Sequence, residues 1–282
     1  MITLDDNFRY DQQLMNSLIE SRKQANGERI LRDTSGIVQH GLLKGYPLHR
    51  EATWATSDMA SQLLGLYEQE VCAVIWHLKS GRDLFVDLGA ADGYYGLGLI
   101  ALGHFEKSYC FEIEQRSRDS LIQRAHSLGI EPRVAIHGDA RADLPALLAA
   151  SEIDLSRTMM LCDIEGHEFD LFDDDFLSLV RDAYIVIENH DFMRPERYEA
   201  SARFRTRAIK YFNLSEMFVG NRDLRRIPLI EDHWNDNDRW LLCSEGRAKL
   251  ASWFVLTPLG HEPLTSDALN EIHRNYVRHH WP

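Results

Sequence analysis

Leu84-Phe85-Val86-Asp87-Leu88-Gly89-Ala90-Ala91-Asp92-Gly93-Tyr94-Tyr95-Gly96 opens as a short apolar run and breaks into small residues at Gly89. A helical pattern resumes through Leu97, Leu99, Ile100 and Leu102. The stretch reads as a buried strand, a tight turn, and a helix whose first N–H groups face whatever lies above the strand end. Gly89 and Gly93 carry no Cβ, so the backbone there can take positive φ and let a ligand approach closely.

Three ligand classes use such a turn. A phosphate-gripping loop needs Lys-Ser/Thr after its last glycine, where this chain has Tyr94-Tyr95. A dinucleotide fingerprint has its second glycine where Ala91 stands, and the carboxylates of Asp87 and Asp92 would repel a pyrophosphate. The same carboxylates favour a cationic ligand bearing an amine and a sulfonium. The pattern Asp87-x-Gly89-Ala90-x-Asp92-Gly93 resembles the first motif of class I S-adenosylmethionine (SAM)-dependent methyltransferases.

The 282 residues suit one large α/β domain with an appendage, or two small domains. We divide the chain into an N-terminal helical extension and lid over residues 1–80 and a SAM-binding, Rossmann-like domain over 81–282. Hydrophobic residues at 44% and charged residues at 27% are ordinary for a soluble globular protein. A net charge of −13 argues against a nucleic-acid or anionic-membrane partner, since such binding relies on clustered Lys and Arg. Cys72, Cys110, Cys162 and Cys243 are far apart and form no Cys-x-x-Cys pair, which reads as buried, reduced thiols. The acidic start Met1–Asp6 has no apolar signal region, and no apolar run reaches the roughly 18 residues of a membrane span. A cytoplasmic protein is expected.

Residues 7–24 read as a polar helix with Leu14, Leu18 and Ile19 on one side and Asn26-Gly27 as its stop. Residues 30–58 are irregular, and one helix is predicted from Ser57 to Leu78, capped by Ser57 or Asp58. Beyond the glycine turn, strands are predicted at 108–112, 134–137, 159–162 and 183–187. Helices are predicted at 115–128, 142–150, 167–180 and 195–210. This alternation implies parallel crossovers and a doubly wound, mostly parallel sheet covered on both faces. A strand at 214–219, a helix at 236–245 and a last strand at 252–257 follow, and the His-rich tail from Asn270 reads as an idle surface segment.

Ligands of an open parallel sheet bind beyond the carboxyl ends of its strands. Each of the five strands ends near a polar residue there: Asp92, Glu112, Asp139, Asp163 and Glu188-Asn189. Any one could cap the next helix, but five in succession point to a shared site. If the ligand is SAM, Glu112, twenty-five residues after Asp87, accepts from both ribose hydroxyls, a role that would suit NAD equally. Glu114 is its understudy. Asp139 accepts from the adenine amino group with the Ala140 N–H nearby, and Asp87 and Asp92 lie near the methionine end.

The run Phe85 to Gly96, then Cys110-Phe111-Glu112, Cys162-Asp163-Ile164-Glu165-Gly166-His167-Glu168 and Ile185-Val186-Ile187-Glu188, resembles the FkbM-type methyltransferases over roughly residues 60–195. The Asp-x-Glu-Gly-x-Glu block is the most telling part, whereas Gly65-Leu66-Tyr67-Glu68 matches no motif. The resemblance implies a class I methyltransferase fold and O-methylation of a sugar or other small hydroxylated metabolite. Methyl transfer is an in-line displacement that asks mainly for positioning, helped by a base or a metal at the acceptor hydroxyl. Asp163, Glu188 and His190 gather where that base belongs, and His190 titrates in the required range. An idle surface loop is the alternative for His190, and a cap or surface role for His167. Asp163 with Glu188-Asn189 also resembles the Mg2+ set of catechol-type O-methyltransferases, with Glu in place of the second Asp.

Of the aromatic residues Trp54, Tyr67, Trp76, Tyr94 and Tyr95, only Tyr94 is singled out as a cofactor neighbour, because most aromatics are core. The irregular segments 30–60 and 190–240 are expected to build the pocket for a small-molecule acceptor. Two rivals stay open: an NAD-dependent oxidoreductase on a similar sheet, and a non-catalytic module that binds SAM or a partner protein.

Overall fold

The computed structural model describes residues 6–48, 58–245, 247, 249–250 and 252–282, with side chains described from residue 12. In chain order, helices α1 (Asp6–Asp33), α2 (Met59–Leu64) and α3 (Gln69–Leu78) precede strand β1 (Leu84–Leu88). Then come α4 (Gly98–Ala101), β2 (Lys107–Phe111), α5 (Gln115–Ser127), β3 (Val134–His137), α6 (Ala140–Ala149) and β4 (Thr158–Cys162). The chain continues through α7 (Glu168–Leu171), α8 (Asp174–Leu179), β5 (Tyr184–Glu188), α9 (Tyr198–Ala208) and β6 (Phe212–Phe218). It ends with α10 (Asp236–Leu242), β7 (Ser252–Pro258) and α11 (Ser266–His280).

The strands form one seven-stranded sheet in the order β3-β2-β1-β4-β5-β7-β6, in which β7 alone runs antiparallel to its neighbours. This is the doubly wound, mostly parallel, Rossmann-like sheet with an N-terminal helical extension expected from the alternation of elements. Side chains alternate between two cores. Phe85, Cys110, Met159, Leu161, Val186 and Trp253 face α3, α5, α11 and the segment around Tyr46. Val86, Tyr109, Phe111, Met160, Ile185 and Phe254 face α6, α8 and α9. Because both faces are covered, the central strands read as continuous apolar runs.

Winding reverses between β1 and β4. Leu88 is level with Phe111 on one side and Cys162 on the other, and Cys162 is level with Ile187. Gly89, Glu112, Asp163 and Glu188 therefore emerge together at the carboxyl edge, where open sheets bind ligands.

Several expectations need correction. Helix α1 runs through Asn26-Gly27 to Asp33. The Asn26 amide is spent on Asp238 of α10, at 2.8 Å. Leu14, Leu18 and Ile19, on one side of this helix, are exposed. The single helix expected from Ser57 is broken at Gly65, which takes φ 76° and where a Cβ would collide with the His40 backbone. Ser57 lies outside the described residues, and Asp58 makes no side-chain cap. The helix at 167–180 is split by Asp173, whose carboxylate accepts from Phe176 N–H and starts α8 anew. The tail is no idle segment: Leu269, Ile272 and Tyr276 of α11 and the following Trp281 are buried in the core. Among the described residues, no helix is long and apolar enough to cross a membrane.

Candidate functional site at the carboxyl edge

The turn after β1 is held by its neighbours. Gly89 N–H and Ala90 N–H both donate to Phe111 O, at 2.9 and 3.1 Å. Ala91, with φ 43°, donates its N–H to Glu112 Oε2 at 2.9 Å, and Glu112 Oε1 accepts from Glu114 N–H. Glu112 thus ties β2 to the turn, whereas Glu114 points to solvent. Gly89 has φ 89°, and a Cβ there would collide with the Asp163 carbonyl oxygen. Its bareness serves the approach of the backbone that follows β4. Helix α4 is only four residues long, so the expected array of free N–H groups does not form; Gly96 N–H is spent on Asp87 Oδ2 at 2.8 Å.

Asp87 is buried on the Phe85 side of the sheet. Burial pushes its carboxyl up to about 7, opposed by the Gly96 N–H and reinforced by the charges of Glu112 and Glu68. Asp92 sits half-buried in the turn. Asp139 caps α6 by accepting from Arg141 N–H at 2.9 Å, with the buried Ala140 next to it. Tyr94 packs edge-on against Tyr67 and Tyr95, which puts much of its ring on the core side. Trp76 belongs to the core against α11, and Trp54 lies outside the described residues.

The second half of the site gathers at the ends of β4 and β5. His190 is 5% exposed. Its Nδ1 is 2.8 Å from Glu168 Oε1, and its Nε2 faces Glu165 at 3.6 Å, Glu188 at 3.7 Å and Asp163 at 3.8 Å. Burial alone would lower the imidazole pKa, but the Glu168 hydrogen bond and the surrounding carboxylates outweigh it and raise it. Asp163 is pushed up to about 7 by burial and the charges of Glu68, Glu165 and Glu168, against the pull of His190. Burial, with Asp163 and Glu68, raises the Glu188 carboxyl well above its usual range. The structure thus brings Asp163, Glu188 and His190 together, and His190 is no idle surface residue. His167 is exposed.

Sequence reasoning gave no role to Glu68, Arg247, Glu245, Arg222, Glu70 or Glu168. Glu68 lies in the turn between α2 and α3 with φ 45°, buried, and accepts from Tyr95 Oη at 2.9 Å. Arg247 bonds Glu68 Oε1 at 2.9 Å, Glu245 Oε2 at 2.8 Å and the Glu188 carboxylate. Glu245 continues to the buried Arg222, which pairs with Glu70 at 2.6 Å. Glu168 stood only as the last acid of the Asp-x-Glu-Gly-x-Glu block. Gly65, a helix breaker inside an apolar pattern, was the signal for Glu68; Arg247 sits in a stretch without periodicity and offered none.

The expected Mg2+ set is not assembled. Asn189 turns away, its Nδ2 donating to Ser252 Oγ and its Oδ1 accepting from Asp191 N–H. Two other groups place three ligand atoms within 4.8 Å of one another: Asp163, Glu165 and His190, and Glu68, Asp163 and Glu188. In the second, the Arg247 guanidinium already neutralises Glu68 and Glu188, so a divalent cation does not fit while it is seated.

No family of known sequences matches the chain, and no curated protein matches it in sequence. Solved structures resemble it in arrangement. A protein of the NADB-Rossmann superfamily from Streptococcus agalactiae is 13% identical with a TM-score of 0.44, over 72% of each chain. An O-methyltransferase from Bacillus cereus in complex with SAH is 11% identical with a TM-score of 0.44, over 83% of this chain and 90% of that one. A putative tRNA (m1A22) methyltransferase from Streptococcus pneumoniae, in complex with SAM, is 10% identical with a TM-score of 0.43, over 73% and 83%. Identities of this size carry no residue roles from one chain to another.

Proposed function

We propose that this chain is a SAM-dependent methyltransferase of the FkbM type that methylates a hydroxyl of a sugar or other small hydroxylated metabolite. The observation that carries this reading is the register of β1, β2, β4 and β5, which sets the acidic glycine turn beside the His190 cluster on one edge. The donor set suits the cofactor. Glu112 offers a carboxylate already aimed across the turn, Asp139 stands at the head of α6, and Asp87 and Asp92 supply negative charge for a cationic methionine end.

When bound, SAM supplies a methyl group on a sulfonium, which leaves as a neutral thioether. The chain's own work is to hold the acceptor oxygen in line and to take its proton. His190 Nε2 receives that proton, and Asp163, Glu165 and Glu188 stabilise the imidazolium that results. No step is routed through a metal. The acceptor pocket is assigned to segments 30–60 and 190–240, of which residues 49–57 lie outside the described ones. Its lid is assigned to the N-terminal extension, of which residues 1–5 and 49–57 lie outside the described ones.

The test is transfer of radiolabelled methyl from SAM to a panel of sugars and other polyols, by wild type and by His190→Asn. Label on a hydroxylated acceptor, lost in the variant while SAM still binds, supports a catalyst over a binding module. No transfer to any acceptor by a protein that binds SAM would favour the binding module.

A further inference from the structure

We propose that Glu168 is the positioning residue for His190: it fixes the imidazole in the Nδ1–H tautomer and leaves Nε2 open towards the acceptor. This rests on the reading of His190 as the base.

Glu168 is the first residue of α7 and is 1% exposed. Its Oε1 accepts from Ile164 N–H at 3.2 Å and lies 2.8 Å from His190 Nδ1, while Oε2 is buried with no hydrogen-bond partner among the described residues. A buried carboxylate with one oxygen unsatisfied is costly, and a neutral residue of similar size would staple the Asp163–His167 loop more cheaply. A carboxylate accepts and cannot donate when ionised, so it admits only the protonated Nδ1. The other nitrogen, Nε2, then carries the accepting lone pair. It faces Asp163, Glu165 and Glu188 at 3.6–3.8 Å, beyond hydrogen-bond reach, so no described side chain occupies it. The Phe192 ring, 5.7 Å from the imidazole, adds a further contact. As Nε2 takes the acceptor proton the ring gains a positive charge, and the Glu168 carboxylate lies against it in a buried setting. The division of labour is that of an orienting carboxylate and a histidine base.

The experiment is long-range 1H–15N NMR of 15N-histidine-labelled full-length protein, with the His190 signals identified by their loss in His190→Asn. At a pH above the raised His190 pKa, where the ring is neutral, wild type should show a protonated Nδ1, far downfield, and an unprotonated Nε2. Glu168→Ala should convert His190 to a mixture or to the Nε2–H form. Glu168→Gln keeps an acceptor oxygen, preserves the tautomer and loses the charge, so its Nδ1 proton should move upfield with the tautomer retained. SAM titration of the same samples should give unchanged affinity, and it reports on the methyltransferase reading separately. A folded Glu168→Ala with an unchanged His190 tautomer overturns the proposal. Should that variant not fold, an unmoved Nδ1 proton in Glu168→Gln overturns it.

Discussion

The Ala91 N–H donates to Glu112 Oε2 at 2.9 Å, so the acid that ends β2 fixes the shape of the turn that ends β1. Ala91 is held at φ 43°, a conformation a non-glycine residue adopts at a cost. Glu112→Ala frees the turn and removes the carboxylate offered to the ribose. We expect the SAM dissociation constant to rise at least roughly tenfold, about 1.4 kcal/mol, with the fold intact by circular dichroism. An unchanged SAM affinity would remove Glu112 from the site.

Asp87 carries a stability cost that depends on pH. Burial pushes its carboxyl up to about 7 from an ordinary value of 3.8, so the folded state holds this proton to higher pH than the unfolded chain. Its contribution to stability therefore falls as pH rises from about 4 to about 7. Asp87→Asn keeps an oxygen for the Gly96 N–H and abolishes the titration. The variant should be more stable than wild type at pH 8, by on the order of 2–4 kcal/mol, and equal to it near pH 4. Urea unfolding across that range measures the difference, and SAM affinity should drop in the same variant.

Gly89 and Gly103 form an internal control. Both have positive φ, at 89° and 72°, but a Cβ on Gly89 meets the Asp163 carbonyl whereas one on Gly103 meets nothing within 4 Å. Gly103→Ala should cost about 1 kcal/mol from backbone strain alone. Gly89→Ala should cost more than about 3 kcal/mol or prevent folding, because two strands would have to part. Equal costs in urea unfolding would contradict the close approach of β1 and β4.

Arg247 is the counter-ion of Glu68, Glu188 and Glu245. Its removal takes the guanidinium from the buried Glu188 and leaves Glu68 with only the Tyr95 hydroxyl, and Arg247→Ala should lose about 3–5 kcal/mol of stability. The loss should be smaller at pH 5, where Glu188 can keep its proton, than at pH 8. Glu188→Gln in the same chain should restore part of it. Thermal unfolding of the single and double variants at both pH values is the measurement.

The central strands were legible because burial on both faces turns them into unbroken apolar runs, as in Phe85–Leu88 and Met159–Cys162. The acids were legible because each lies at a strand's carboxyl end or in the turn that follows it. Glu68 was not: it sits in the short break at 65–68 between α2 and α3, inside a continuous apolar pattern, and only Gly65 marks it. Arg247 comes from a segment without periodicity, and the Glu168–His190 pair joins residues twenty-two apart in sequence. Helix α11 carried its apolar positions Leu269, Ile272 and Tyr276 in plain view, but the density of His and Arg around them masked the pattern.

The most direct measurement is calorimetric titration of the purified protein with SAM, S-adenosylhomocysteine and NAD, with and without Mg2+. Binding of the first two, none of NAD, and no dependence of SAM affinity on Mg2+ is the expected result. Tight NAD binding with no response to SAM would contradict the methyltransferase assignment and leave the acids of the β1 turn needing another ligand.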